Sequence, residues 1–246
     1  MKILVCISKA PDTTSRIAFT EGDTQFDNNG VQFIVNPYDE WYALVRALEL
    51  KEAQGGSVTT ITVGEADCDP VIRKALAIGA DDAIRIDANP TDALQVASLI
   101  ANHASDGGYD LVLCGKETID HNGSVVGGML AELMNASFVS LATSLEVEGG
   151  VVKATREAGG GLESVEASLP AVVSAAKGMA EQRIPNMRGI MAARTKSLNV
   201  VPAGDALQGA SVAKFELPPA KGACKIVSAD QPEELVRLLR EEAKVL

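Results

Sequence analysis

Positive charge is scarce in this chain: 22 Lys and Arg stand against 33 Asp and Glu, a formal net charge of −11. A surface of that sign repels a phosphodiester backbone, so no nucleic-acid partner is expected. Histidine is scarcer, with only His103 and His121, and the cysteines at 6, 68, 114 and 224 form no CxxC pair. No zinc pattern is present in the sequence. Cys6 and Cys114 fall inside apolar runs and read as small, reduced hydrophobes. No run approaches the ~20 apolar residues of a membrane span. The opening MKILVCISKAPD is too short in apolar residues for a signal peptide. The expectation is a cytoplasmic, soluble chain with no direct membrane insertion.

Core material is plentiful. Hydrophobic residues make up 46% of 246 positions, which excludes disorder as a description of the whole and suits a single large α/β domain. Lys2–Ile7 (KILVCI), Ser57–Val63 (SVTTITV), Asp82–Ile86 (DAIRI) and Leu111–Cys114 (LVLC) read as strands. The first and fourth are nearly unbroken apolar runs, the pattern of strands covered on both faces. Asp39–Ala53 sets Trp41, Leu44, Val45 and Leu48 at helical spacing, with Asn36-Pro37 as cap and first-turn proline. Asp39 and Glu40 suit the positive end of that helix dipole. Asp69–Ile78 and Thr91–Ala104 give two more helices, the first ended by Gly79. Strands alternating with helices imply right-handed crossovers and a doubly wound, mostly parallel α/β sheet.

The texture changes after about residue 137. Ser144–Val147, Val151–Arg156 and Ser164–Ser168 alternate apolar and polar residues around Gly149-Gly150 and Gly159-Gly160-Gly161. That predicts an antiparallel hairpin excursion over about 143–168. Leu169–Ala175 (LPAVVSA) reads as a strand returning to the main sheet. Lys177–Leu198 is basic and irregular, and Pro202–Ala223 has no clear period and reads as an extended arm. Gln231–Val245 closes the chain with an amphipathic helix. The expected division is an α/β domain over 1–200 and a C-terminal arm and helix over 201–246.

Ligands of open α/β sheets collect beyond the carboxyl ends of strands, where the strand order reverses. Three such ends are candidates: Ser8–Asp12, Gly64–Asp67 and Gly115–Gly127. In the third, KETIDHNGSVVGGM, Asn122–Val126 would turn successive backbone N–H groups outward where a helix begins at about Ser124. An anion there meets free donors and the positive end of the macrodipole. Ser124 can add a hydroxyl, and Gly123, Gly127 and Gly128 keep side chains away. The competing view is a plain helix cap by Asp120 or Asn122. The stretch is no Walker A loop, because no GK[ST] follows.

Ordered blocks across roughly residues 2–198 resemble the beta subunit of electron-transfer flavoprotein. They are KILVCISKAPDTTSRI, NPYDEWYALVRALELKE, VIRKALAIGADDAIRI, LVLCGKETIDHNGSVVGGMLAELM, GGGLESVEASLPAVVSA and AEQRIPNMRGIMAARTK. The resemblance implies a Rossmann-like fold of adenine-nucleotide-binding type and a heterodimer with an alpha subunit, on which the 201–246 segment would pack. Such a pair carries electrons from flavin dehydrogenases, such as acyl-CoA dehydrogenases, to a quinone reductase or similar acceptor. Its redox FAD lies mainly on the alpha subunit, while the beta subunit holds AMP or, in electron-bifurcating members, a second FAD. On this match the nucleotide site comprises Cys6, Asn36, Pro37, Tyr38, Asp39, Val63, Gly115 and Lys116, with Asp120, His121, Asn122, Gly123, Ser124, Val125, Val126 and Gly127 from the loop. Asn36 would lie near the adenine and Asn122–Val126 around phosphate.

The loop departs from both subfamilies. Common carriers read DDDxNQTG and bifurcating members DGDTAQVG, where this chain has DHNGSVVG. Val126 replaces a Thr whose hydroxyl helps hold the AMP phosphate, and such a bond contributes about 1–3 kcal/mol. Partner contacts implied by the match are Glu163, which steers the mobile flavin domain, and Met187, at an apolar anchor that docks dehydrogenases. Arg183 and Glu181 match as well and can pair with each other or touch the alpha subunit. No catalytic residue is assigned; His121 reads as a loop contact rather than a general base. The expectations rank as a non-catalytic carrier subunit, a bifurcating subunit using NADH, and a free-standing adenine-nucleotide sensor or hydrolase.

Overall fold

The computed structural model describes residues 1–246. Strand β1 (Lys2–Cys6) is followed by the short strands β2 (Lys9–Pro11), β3 (Phe19–Thr20), β4 (Gln25–Phe26) and β5 (Phe33–Val35). Then α1 (Asp39–Gln54), β6 (Ser57–Val63), α2 (Asp69–Ile78), β7 (Asp82–Asp87), α3 (Ala93–Ala104), β8 (Leu111–Gly115) and α4 (Val126–Leu133) alternate. The remainder is β9 (Ser137–Glu148), β10 (Val151–Ala158), β11 (Gly161–Ser168), β12 (Ala171–Ala175), α5 (Met187–Ala193), β13 (Leu198–Pro202) and α6 (Pro232–Glu241). No helix is long and apolar enough to cross a membrane.

Nine strands form one sheet in the order β11-β10-β9-β12-β8-β1-β6-β7-β13. From β9 to β13 every neighbouring pair is parallel, whereas β10 runs antiparallel to both β9 and β11. The excursion is thus a three-stranded meander, and its first strand is rooted in the parallel sheet. Ser137–Ala142 pairs with β12 before Ala142–Glu148 turns to β10.

The apolar run of β1 is explained by two-sided cover. Ile3 and Val5 point into a core shared with α1 and α2, while Leu4 and Cys6 point into a second core with α3 and α4. Each fully buried Leu or Ile stabilises by about 1.5–3 kcal/mol. Gly79 ends α2 with φ of 155°, and a Cβ there would lie 2.8 Å from Leu48 Cδ1. Helix α3 starts at Ala93, two residues later than its periodicity suggests, because the Asp92 carboxylate accepts from Gln95 N at 2.7 Å and caps it.

Two elements lie within or between the stretches expected to be irregular. Leu198–Pro202 pairs in parallel with β7 along the exposed sheet edge, and a proline is tolerated at such an edge. Met187–Ala193 forms α5, capped by Asn186, whose Oδ1 accepts from Gly189 N at 2.8 Å. Gly189 lets it lie against α2: a Cβ would come within 2.3 Å of the Ala77 carbonyl oxygen. Residues 203–231 carry no helix or strand. They climb α3, with Asn102 Nδ2 donating to the Asp205 carbonyl at 2.7 Å and Gly209 N to Asp92 Oδ2 at 2.8 Å. They then reach the β3–β4 hairpin, where Phe215 stacks on Phe19 at 5.0 Å.

Candidate functional site

The strand order reverses between β1 and β8: from β1 the chain moves outward through β6 and β7, then returns to β8 on the other side. The mouth above that pair is the topological switch point. The loop after β8 stands over it, with Asp120–Val125 exposed. Backbone N–H groups of Gly123 through Gly128 donate to no protein acceptor. Two sharp turns of the chain produce this: Asn122 and Ser124 have φ of 48° and 53°. The donors lead into the first turn of α4, where the helix dipole adds positive potential. The cap alternative fails here. Helix α4 starts at Val126, and its cap position, Val125, makes no side-chain bond; neither Asp120 nor Asn122 caps it.

Asn36 is not a helix cap either. The residue is 1% exposed, and its amide braces the loop: Nδ2 donates to the Glu117 carbonyl at 3.0 Å and Oδ1 accepts from Ile119 N at 3.1 Å. Helix α1 begins with Tyr38 at its cap position and no side-chain cap bond. Tyr38 is exposed, and the Pro37 carbonyl accepts from Gln182 Nε2.

The glycines serve packing as well as access. A Cβ on Gly127 would lie 2.8 Å from Cys114 Sγ and 3.1 Å from Phe138 Cε2, so Gly127 seats α4 on the sheet and does not clear space for a ligand. On Gly115 a Cβ would sit 2.8 Å from Glu40 Cγ. Gly123 is open, with only Val125 Cγ2 at 3.8 Å. The Ser124 hydroxyl, expected as an extra donor, is spent on Glu117 Oε2 at 3.1 Å. Lys116 Nζ pairs with the other oxygen of Glu117 at 2.5 Å, which holds the Glu117 carboxyl below its ordinary range. His121 points into solvent beside Asp120.

Beneath the loop two carboxyl groups are buried without an ion-pair partner. Glu40 is 6% exposed, and both its oxygens accept from Ser8, from N and Oγ at 2.8 Å each. Burial pushes its carboxyl up to about 7, and that of Asp39 up to about 6. Cys6 and Cys114, from the strands below, are buried thiols; burial first, then neighbouring charge, raises both. From sequence, Glu40 is placed only at a helix dipole, and Ser8 and Glu117 only within candidate loops without a role; the DE pair after NPY was the available signal.

The other mouths differ. Gly64 is closed over by Cys68, whose Sγ lies 2.3 Å from where a Cβ would stand, and its carbonyl accepts from Arg85 at 2.9 Å. Val63 and Cys6 belong to the core on the α3–α4 face. The Ser8–Asp12 stretch is held by Glu40 and by pairing of β2 with β5.

The residues predicted for partner contact are engaged elsewhere or exposed. Glu163 pairs across strands with Arg156 at 2.8 Å. Arg183 pairs with Glu52 rather than Glu181, at 2.6 and 3.1 Å, because its segment runs along α1, where its carbonyl accepts from Trp41 Nε1. Met187 is 72% exposed beside Ile184, 83% exposed.

Comparison with known proteins gives a consistent set. The model of the electron transfer flavoprotein domain matches residues 23–206. The chain is 35% identical to the electron transfer flavoprotein subunit beta of Bacillus subtilis (strain 168), over 100% of both chains. It is 34% identical to the subunit of that name from Syntrophomonas wolfei, over 99% of this chain and 96% of the relative. With the human subunit it shares 33% identity over 100% of this chain and 99% of the relative.

Proposed function

The chain belongs to the electron transfer flavoprotein family, as a beta subunit, and we propose that it is the non-catalytic half of a heterodimeric electron carrier. Its partner is the family's alpha subunit. The pair accepts electrons from flavin dehydrogenases, acyl-CoA dehydrogenases among them, and delivers them to a quinone reductase or similar acceptor in the cytoplasm. Flavin bound to the heterodimer supplies the redox chemistry.

The role proposed for this chain is to hold an adenine nucleotide above β1 and β8. The observation that carries the reading is the run of unpaired N–H groups from Gly123 to Gly128 at the start of α4. Buried in a complex, donors without acceptors cost about 1–3 kcal/mol each, and a phosphate satisfies them. AMP is the proposed occupant. Asn36 keeps the loop in place, Gly123 leaves the approach open, and Cys6 and Val63 back the crevice. Met187, Glu163, Glu181 and Arg183 are proposed for partner contact, the exposed Met187 offering an adaptable apolar surface.

One observation favours a second reading, a bifurcating subunit with FAD in this mouth and NADH as donor. Val126 offers no hydroxyl, and that of Ser124 is engaged by Glu117. Both leave recognition to the backbone. Co-expression with the alpha subunit, acid extraction and mass spectrometry separate the readings. One FAD plus one AMP supports the carrier. Two FADs support the bifurcating subunit. A heterodimer with no nucleotide beyond one FAD overturns the proposed site.

A further inference from the structure

We propose that Glu40 is a positioning residue that couples nucleotide binding in the β1–β8 mouth to uptake of one proton; this rests on the nucleotide reading above. The geometry is specific. Glu40 lies 6% exposed under the loop and takes part in no ion pair, and both its oxygens are taken by Ser8 at 2.8 Å. Ser8 is in the loop that follows β1, and Gly115, which faces Glu40 Cγ, ends β8. Glu40 therefore ties together the two strand ends that frame the switch point.

The groups facing it supply no compensating cation. Asp39 is its neighbour on α1, Asp120 faces it from the loop, and Cys6 and Cys114 face it from β1 and β8. Lys116 acts on Asp39 and is paired with Glu117. Lys9, next to Ser8, is paired with Asp67. A phosphate entering the mouth adds negative charge to this set, and the least costly response is for a buried carboxylate to take a proton. Glu40 is the group placed to do so near neutrality. Burial puts its carboxyl at about 7, Asp39 at about 6 is ionised earlier, and burial keeps the Cys114 thiol neutral, up at about 12. Protonated, Glu40 keeps one acceptor for Ser8 N, and the Ser8 hydroxyl can turn to accept.

The sign follows by linkage. Binding that takes up a proton weakens as pH rises, by up to about tenfold per unit above the free-state value of Glu40. The phosphate of AMP has its second ionisation near ~6, so the informative range lies above about pH 7, where the ligand no longer titrates.

The test is calorimetric titration of the nucleotide-stripped heterodimer with AMP between about pH 7 and pH 8.5, in two buffers of different ionisation enthalpy. The expected result is proton uptake that rises from at most about half a proton near pH 7 toward one at the alkaline end, with an affinity that falls with pH. In Glu40→Gln the uptake vanishes, the profile flattens, and AMP binds several-fold tighter at the alkaline end. AMP binding with no proton uptake and no slope overturns the role of Glu40 while leaving the nucleotide site standing. Equal slopes in wild type and variant do the same. Absence of AMP binding at every pH overturns both. The buffer-pair measurement on wild type decides the matter even where the variant does not fold.

Discussion

Asn36 and Ile119, 83 positions apart, are joined by a hydrogen bond of 3.1 Å from the Ile119 amide to the Asn36 side chain, and the same side chain donates to Glu117. One buried amide thus fixes the height of the loop over the mouth. Asn36→Ala leaves a partly buried N–H and C=O unpaired and is expected to cost about 1–3 kcal/mol by chemical denaturation. Asn36→Asp should fare no better at neutral pH, since it sets a carboxylate oxygen against the Glu117 carbonyl. Hydrogen exchange at 117–119 should accelerate in both; unchanged protection there would contradict the bracing role.

Gly127 and Gly128 look alike in sequence and should behave differently. Gly127→Ala pushes a methyl to 2.8 Å from Cys114 Sγ and is expected to destabilise by about 1–3 kcal/mol. Gly128→Ala meets Phe138 only at 3.5 Å and gains helix propensity of up to about 1 kcal/mol. Combining Gly127→Ala with Cys114→Ala should recover part of the loss. Equal melting temperatures for the two single variants would count against the packing account.

The carboxyl of Glu40 has a pH signature in stability as well. Its folded value, about 7, lies above the ordinary 4.5, so between those values the unfolded chain gives up its proton first. Stability from this group is complete below about pH 4.5, falls as pH rises to about 7 and is level beyond, by on the order of 3 kcal/mol. Asp39 adds a smaller decline between 3.8 and about 6. Denaturant midpoints of wild type and Glu40→Gln should therefore diverge in favour of the variant as pH is raised. Parallel midpoints across that range would show that Glu40 is not held in its neutral form.

Asp92 does two jobs with two oxygens. Oδ1 caps α3 through Gln95 N, and Oδ2 accepts from Gly209 N and Ala210 N in the C-terminal arm. Asp92→Ala is expected to cost about 1 kcal/mol through the cap alone, and to expose 203–231 to proteases. Asp92→Ser should keep the cap and still loosen the arm. If limited proteolysis of the serine variant matches wild type, the carboxylate is not the anchor.

Arg183 grips Glu52 with two nitrogens, yet both side chains are substantially exposed. A double-mutant cycle of Arg183→Ala and Glu52→Ala should give a coupling of about 0.5–1 kcal/mol, reduced by salt. A coupling unaffected by salt would point to packing rather than charge.

The sequence by itself determined the alternation of strand and helix and the antiparallel excursion. It also located the exposed, glycine-bearing turn after β8. These depend on which residues within a short window turn to the core, and Leu111–Cys114 or Asp69–Ile78 display that locally. Only the tertiary structure decided that Asn36 braces the loop instead of capping α1 and that Arg183 takes Glu52 instead of Glu181. The same holds for β13 completing the sheet beside β7 and for Glu40 lying buried at the switch point. Each of these is a pairing between segments far apart in the chain, set by strand order and crossover direction, and a periodicity that marks a face inward does not specify which distant atoms will meet it there.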